Sequence, residues 1–436
     1  MVSGRRCETR TAHRVLLGLQ KLTKRGVLVR VTTVFRRLLN VASMFVMGVS
    51  FVPDGLLINV RPSWKNPQCG ICGIVGPGYD TLPVRRWRSL GIGAWKIWLA
   101  YALRRVACPA CGIRAEKVPW AAHASRFTSD FAETVAYLAQ TMDQTAVTKL
   151  MGITWRAVEN IVAQVVFERL DANRFDGVRR IGIDEFSYRK RHHYLTVIVN
   201  HDTRRVIWAC EGRSAVALSA FFERLGPQRC ALIETVTIDM SHAYKKAVTD
   251  NLPNAEIVYD RFHVQRIASI AVDKVRRELW RELKGTEEGK AIKGSRFALL
   301  KNPWNLTQTQ KQRLAEVQLN NARLYRAYLL KETLAKALDY LQPWRAERAL
   351  KDWLAWASRS KLKPFVEAAR TVRRHFDGIL AYIKDRLTNG LVEGINNRLR
   401  VIARRAYGYH SPDSLTAILY LCCGGIELDP PLPQPT

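Results

Sequence analysis

The chemistry this sequence suggests rests on three acidic residues: Asp184 in RRIGIDEF, Asp239 in TVTIDM and Glu393 in NGLVEGINNRLR. Ile181 and Ile183 alternate around Gly182 as in a strand, which puts Asp184 at or near its end. Asp239 closes a second apolar run in the same way. A carboxylate in such a place costs free energy unless it is solvated, paired or bound to a metal. Each acid alone reads as a cap or a surface group. Clustered, the three can hold two Mg²⁺ or Mn²⁺ ions about 3.5–4 Å apart, which activate water or a 3′-hydroxyl for in-line attack on a phosphodiester and stabilise the leaving oxygen. Hard oxygen donors select these ions over zinc. Glu185 points to the other strand face and is set aside. Glu393 shares a helical face with Asn397, Arg400 and Arg404, beside an apolar stripe of Leu391, Ile395 and Leu399. One carboxylate, one amide and two guanidiniums suit metal binding and contact with a phosphate backbone.

Four cysteines form a second constellation. Cys69-Gly-Ile-Cys72 and Cys108-Pro-Ala-Cys111 are two C-x-x-C knuckles on Gly- and Pro-containing turns. The spacing brings four thiolates to one structural Zn²⁺ in a zinc-ribbon domain. A redox C-x-x-C needs one pair in a βαβ setting, and neither condition fits. The insert between the knuckles holds Arg85, Arg86, Trp87, Arg88, Trp95, Trp98, Arg104 and Arg105, a basic and aromatic set suited to DNA. His123 lies apart from the second knuckle and is left out of the metal site.

The elements that must position these groups follow from periodicity. Ser129 caps a helix bearing Phe131, Val135 and Leu138; a short helix covers Thr145–Met151; Gly152 breaks it; Thr154 caps a longer one whose buried stripe is Val158, Ile161, Val162 and Val165. Short helix, glycine turn and longer helix is the helix-turn-helix pattern, which aims Thr154, Trp155, Arg156 and Glu159 at the major groove. A plain helical linker is the alternative. Three runs within 179–209 make a β-meander. A helix from Ser214, a strand at Thr235, a helix from Ser241 and a strand ending at Asp260 follow. The order β-β-β-α-β-α-β is an α/β ribonuclease H-like core with a mixed five-stranded sheet, whose first and fourth strands are parallel neighbours. From Arg261 to about Arg386 the pattern is helical throughout, a large all-helical insertion. Its tryptophans, Trp304, Trp344, Trp353 and Trp356, read as core, with base stacking by one of them as the alternative.

The chain has 436 residues, 47% hydrophobic and 25% charged, enough for several domains with ordinary cores. Its net charge of +31 speaks to partners: nucleic acid first, an anionic membrane surface second, with the motifs pointing to double-stranded DNA. No run approaches the ~20 apolar residues of a membrane span, and no secretory signal is visible. Cysteines in C-x-x-C pairs without such a signal fit a reducing cytosol. The expected domains are a basic, disordered extension (1–28), a hairpin and zinc ribbon (29–124), the helix-turn-helix (125–175), the ribonuclease H-like domain (176–426, insertion about 264–386) and a Pro-rich disordered tail (427–436).

At these residues the sequence resembles bacterial insertion-sequence transposases of the DDE type, in the ISL-three family. The resemblance covers roughly residues 30 to 426. It is carried by IGIDEFSYRKRHHYLTVIVNHDTRRVIW, EGRS with the FFERLG helix, TIDMSHAYKKAV, IVYDRFHV and NGLVEGINNRLRVIARRAYGYHS, and by the C-x-x-C pair, RRWR and VPWA…SRFT. It implies that Asp184, Asp239 and Glu393 are the catalytic triad. It also implies that Asp260 and His263, a D-x-x-H element, order the active site, and that the protein acts in the bacterial cytoplasm at the nucleoid as a homo-oligomer on paired DNA ends. The activity implied is binding of terminal inverted repeats with Mg-dependent strand cleavage and transfer. A sequence-specific DNA-binding protein with an inactive core, and a nuclease that cuts without joining, share the same motifs.

Overall fold

A computed structural model describes residues 29–189, 193–385, 390–405 and 411–431, and the side chain of Glu393 is outside what it describes. The expected N-terminal extension and the last residues of the tail therefore lie outside the described residues. The chain divides into two compact units, Met1–Leu138 with Leu428–Thr436, and Ala139–Glu427.

In the first unit a helix (α1, Val31–Leu39) precedes strands β1 (Met44–Val52) and β2 (Gly55–Pro62), the hairpin expected around Pro53-Asp54-Gly55. A long hairpin follows, β3 (Gly78–Ile92) and β4 (Trp95–Cys108), with a short β5 (Gly112–Ala115). The sheet runs β1-β2-β4-β3, with β5 on β4. Its core gathers Met44, Ile58, Leu99, Trp87 and Trp120, the two indoles meeting edge to face at 5.6 Å. Alternation along β4 buries Ile97, Leu99 and Leu103, so the pleat itself selects the core face. The cap of helix α2 (Ser129–Thr141) lies one residue earlier than expected: Phe131 N–H donates to Thr128 Oγ1 at 3.3 Å, so Thr128 is the capping side chain. The tail is placed as far as residue 431. Asp429 N–H donates to Glu133 Oε1 at 3.1 Å and Pro430 is buried.

The second unit opens with α3 (Gln144–Met151) and α4 (Trp155–Arg169). Strands β6 (Arg180–Arg189), β7 (His193–Asn200) and β8 (Arg205–Glu211) form the meander; α5 (Ala215–Leu225), the short α6 (Pro227–Cys230), β9 (Thr235–Ile238), α7 (His242–Asn251) and β10 (Glu256–Tyr259) complete the sheet, ordered β10-β9-β6-β7-β8. The meander is antiparallel and β6, β9 and β10 are mutually parallel, as in the expected core. Helices then follow without a strand: α8 (Arg261–Glu282), α9 (Glu287–Gly294), α10 (Arg296–Leu300), α11 (Gln308–Asn320), α12 (Ala322–Asp339), α13 (Pro343–Arg359), α14 (Lys363–Arg374) and α15 (Phe376–Asp385). One apolar cluster runs from Ile183 and Ile238 through Val264 to Leu330 and Trp353, so these helices share the core of the sheet. A Cβ on Gly378 would stand 2.5 Å from the Tyr259 ring and 2.7 Å from the Ile257 carbonyl, so glycine alone lets α15 lie on the β10 edge. Helices α16 (Gly390–Arg405) and α17 (Pro412–Cys423) close the unit, α16 packing on β6 and α17 on β8.

Two expectations need correction. Asp184 is not at the end of its strand: β6 continues to Arg189 because β7 keeps pairing with it beyond the point where β9 stops. Of the four tryptophans only Trp353 is fully buried, its indole N–H donating to Leu330 O at 2.7 Å; Trp356 packs at the core margin, while Trp304 and Trp344 are exposed.

Candidate functional site

The parallel ladder between β6 and β9 pairs Arg180 with Thr235, Ile181 with Val236 and Gly182 with Thr237. Continued two residues, the register sets Asp184 beside Asp239. Both are half-buried at the carboxyl edge of the parallel strands. One oxygen of each is held by a backbone N–H: Glu185 N–H donates to Asp184 Oδ1 at 2.7 Å, and Ser241 N–H to Asp239 Oδ1 at 2.9 Å. These bonds orient the carboxylates. The start of α7 beside Asp239 adds the positive end of a helix dipole.

Asp260 follows β10 at the same edge, as the N-cap residue of α8, and is buried. His263 lies one turn into α8, with Nδ1 3.6 Å from Asp260 Oδ2, an electrostatic contact longer than a hydrogen bond. Asp260 foremost, then Asp184 and Asp239, hold the His263 pKa above the ordinary value. Asp184, Asp239 and Asp260 thus gather at one edge of the sheet, with His263 beside Asp260. On the opposite face of β6, Glu185 meets Tyr244 of α7, whose hydroxyl lies 3.0 Å from Thr196 Oγ1. Burial pushes the Glu185 carboxyl and the Tyr244 phenol up. This Glu185–Tyr244–Thr196 layer under the acids is a feature that residue spacing did not disclose, since it joins three elements.

Helix α16 lies against β6, the strand of Asp184. Ile395, Leu399 and Ile402 are buried, and Asn397, Arg400 and Arg404 are exposed, as the stripe requires. Arg400 Nη1 donates to Asn397 Oδ1 at 2.7 Å. Glu393 is on this helix. Among the described residues, no third carboxylate closes on Asp184 and Asp239 to ligand-cluster spacing.

The cysteines do close. Ligand atoms of Cys69, Cys72, Cys108 and Cys111 all lie within 4.8 Å of one another, with Cys72 Sγ and Cys108 Sγ 3.4 Å apart. A tetrahedral ion with Zn–S bonds of about 2.3 Å has S–S edges near 3.8 Å, so the donor set fits zinc. Backbone N–H groups of Cys72 and Ile71 draw the Cys69 pKa down to about 7, while the Cys72 side chain and burial push Cys111 up to about 12. Four thiols this close cannot all ionise without a cation. The insert between the knuckles is spent largely inside its own unit. Trp87 is core, Arg85 donates to Ser125 O, Arg105 pairs with Asp80, and Arg104 with the fully buried Glu116. Arg86 and Trp95 are among its members that remain exposed.

In the helix-turn-helix segment, Asp143 caps α3 through Ala146 N–H, and Thr154 caps α4 through Ala157 N–H. Gly152 takes φ +60° between them, the left-handed conformation that the turn demands. Val158, Ile161, Val162 and Val165 are buried. Thr154 and Arg156 are exposed; Trp155 is half-buried, and its carbonyl accepts from Gln144 Nε2. No helix among the described residues is long and apolar enough to cross a membrane.

A family described as "Transposase", of ISL3 type, matches residues 181–419, and the "Helix-turn-helix domain of transposase family ISL3" matches residues 116–166. The chain is 37% identical over 425 residues to the transposase for insertion sequence element IS1557 of Mycobacterium tuberculosis, covering 90% of this chain and 95% of that protein. It is 33% identical over 361 residues to the transposase for insertion sequence element IS1001 of Bordetella parapertussis, covering 82% and 89%.

Proposed function

Since the chain belongs to the ISL3 family of transposases, we propose that it binds the terminal inverted repeats of its own insertion sequence and catalyses Mg-dependent strand cleavage and transfer with Asp184, Asp239 and Glu393. The observation that carries this reading is the β6–β9 register, which sets the two aspartates side by side, with the Glu393 helix packed on the strand of Asp184.

Asp184 and Asp239 offer oriented, hard oxygen donors, and Glu393 supplies the third. Magnesium bound there would supply activation of the attacking hydroxyl and neutralisation of the leaving oxygen. The chain's own groups do the remaining work. Backbone N–H bonds hold the aspartates in position. Arg400 and Arg404 meet backbone phosphates, and Asn397, bonded to Arg400, fixes its guanidinium. Asp260 and His263 order the first turn of α8 beside the acids. Thr154, Trp155 and Arg156, at the start of α4, contact the repeat in the major groove. One zinc ion on Cys69, Cys72, Cys108 and Cys111 braces the first unit.

The test is excision of a donor element from a plasmid. Asp184→Asn, Asp239→Asn and Glu393→Gln should each lower excision by at least about 10³-fold, with repeat binding retained. Undiminished excision by any of these variants removes that residue from the triad. Site binding by the intact protein without Mg-dependent cleavage would instead mark it as a DNA-binding protein with an inactive core.

A further inference from the structure

An exposed aromatic side chain stands beside the acidic cluster, and an ion pair draws the start of α13 toward it. Phe262, the residue before His263, is 54% exposed, and its ring meets the imidazole edge-on with centroids 5.9 Å apart. Arg261, immediately before it, places Nη2 2.5 Å from Asp339 Oδ1, which ties the end of α12 to the first turn of α8. From Asp339 the chain turns directly into α13. That turn exposes Tyr340 at 41%, Leu341 at 75% and Trp344 at 61%. The Arg345 guanidinium lies 5.0 Å from the Trp344 ring centroid. Helix α13 has an apolar face, and its other two tryptophans pack there: Trp353 is 1% exposed and Trp356 lies at the core margin. Trp344 is thus an outlying ring on a helix whose core position is already filled.

We propose that Phe262 and Trp344 form a stacking site for unpaired DNA bases next to the strand being cut. This rests on the reading of Asp184 and Asp239 as the cleavage site. An exposed indole with an arginine over it is the pairing that single-stranded nucleic acid uses, a π-face for the base and a cation for the adjoining phosphate. A duplex hides its base faces, so these rings can engage only bases that have left the stack. The ligand is nucleic acid rather than an apolar protein face because the site carries Arg261 and Arg345, belongs to a chain of net charge +31, and adjoins the acids to which DNA must come. Stacking tolerates any base, so the site grips a frayed or flipped nucleotide without reading its identity.

The experiment compares the full-length protein and its Trp344→Ala, Trp344→Phe and Phe262→Ala variants in magnesium-free buffer. Two probes carry the same duplex repeat end. One is blunt; the other has three unpaired nucleotides, one of them 2-aminopurine. The wild type should prefer the unpaired end and quench its fluorescence. Trp344→Ala should reduce that preference by about 5- to 100-fold and restore the emission, Phe262→Ala should do so in part, and Trp344→Phe should keep most of both. Blunt-end affinity should change little in all of them. Equal preference in the wild type and both alanine variants overturns the stacking site alone. Failure of the wild type to bind either probe overturns the transposase reading and this site with it. Loss of blunt and unpaired binding together in Trp344→Ala, with an unchanged melting temperature, assigns the ring to duplex contact and also overturns the proposal.

Discussion

Gly182 and Thr237 face each other in the parallel ladder, two residues before Asp184 and Asp239. Two carboxylates brought together this way repel, and the asparagine variant of either keeps its backbone hydrogen bond while losing its charge. In metal-free buffer Asp239→Asn should therefore raise the melting temperature slightly, by up to about 1 kcal/mol or roughly 2–4 °C. Added Mg²⁺ should stabilise the wild type and leave the variant nearly unchanged. Calorimetry with and without Mg²⁺ checks both. A variant that melts lower in each condition would mean that the carboxylate is structural.

The cysteine cluster makes a compositional prediction. Metal analysis of the purified protein should find about one zinc per chain, lost in Cys69→Ser and Cys108→Ser. Both sulfurs are buried, so the ion is held from inside the unit. Zinc removal should open β5 and the knuckle turns to hydrogen exchange and leave the β6–β10 sheet protected. Zinc retained in both variants would place the metal elsewhere.

Glu116 is the most committed carboxylate of the first unit. It accepts from Arg104 Nε at 3.0 Å, Arg104 Nη2 at 2.7 Å, Arg104 N–H at 2.8 Å and Tyr101 Oη at 2.9 Å. Its side chain is fully buried, so Glu116→Ala leaves Arg104 Nε and Nη2 and the phenol without this acceptor, while Arg104 Nη1 keeps Lys65 O. A loss of about 3–5 kcal/mol follows in thermal or denaturant melts, with Glu116→Gln recovering part of it. A loss under about 1 kcal/mol would mean that solvent takes over the acceptor role.

These cases show which parts of the molecule the sequence discloses. The strands and the Asp184–Asp239 adjacency are legible because apolar runs of period two depend on local spacing and their β-β-β-α-β-α-β order fits one sheet arrangement. The cysteine cluster is legible because two short knuckles each fix half of a tetrahedron. Long-range partners are not. Nothing near Arg104 or Arg105 announces Glu116 or Asp80, so the basic insert reads as a surface when much of it is internal. The length of β6 is set by β7 on its other side, which no pattern inside β6 encodes. Adjacent Thr128 and Ser129 are both good caps, and the choice between them depends on where the preceding chain arrives. Trp344 and Trp353 differ in burial because Leu330 waits opposite only one of them.

His201 gives a pH dependence. Its ring lies 2.7 Å from Thr237 Oγ1, and burial holds its pKa down to about 4 against an ordinary 6.5. Above 6.5 it is neutral whether the chain is folded or not, and it contributes nothing to the pH dependence. Between 6.5 and about 4 the unfolded chain takes up a proton that the folded chain refuses, so stability falls as pH falls. The slope from this group is at most about 1 kcal/mol per pH unit. His201→Asn should flatten the melting temperature profile across that window. An unchanged profile would assign the acid sensitivity to other groups.

The recognition helix separates sequence reading from phosphate binding. Arg156 is exposed in the first turn of α4, held there by the Thr154 cap and the Gly152 turn. If it reads a base edge, Arg156→Ala should weaken binding to the terminal repeat by about 10- to 100-fold and leave random duplex nearly unaffected. Arg400 and Arg404 face the backbone in this reading. Their alanine variants should weaken repeat and random DNA alike, each lowering the slope of log affinity against log salt by about one. Titrations of both DNAs at several salt concentrations resolve the two classes. Should Arg156→Ala behave like Arg400→Ala, the start of α4 only anchors the phosphate backbone, and the specificity of the chain must be sought on another surface.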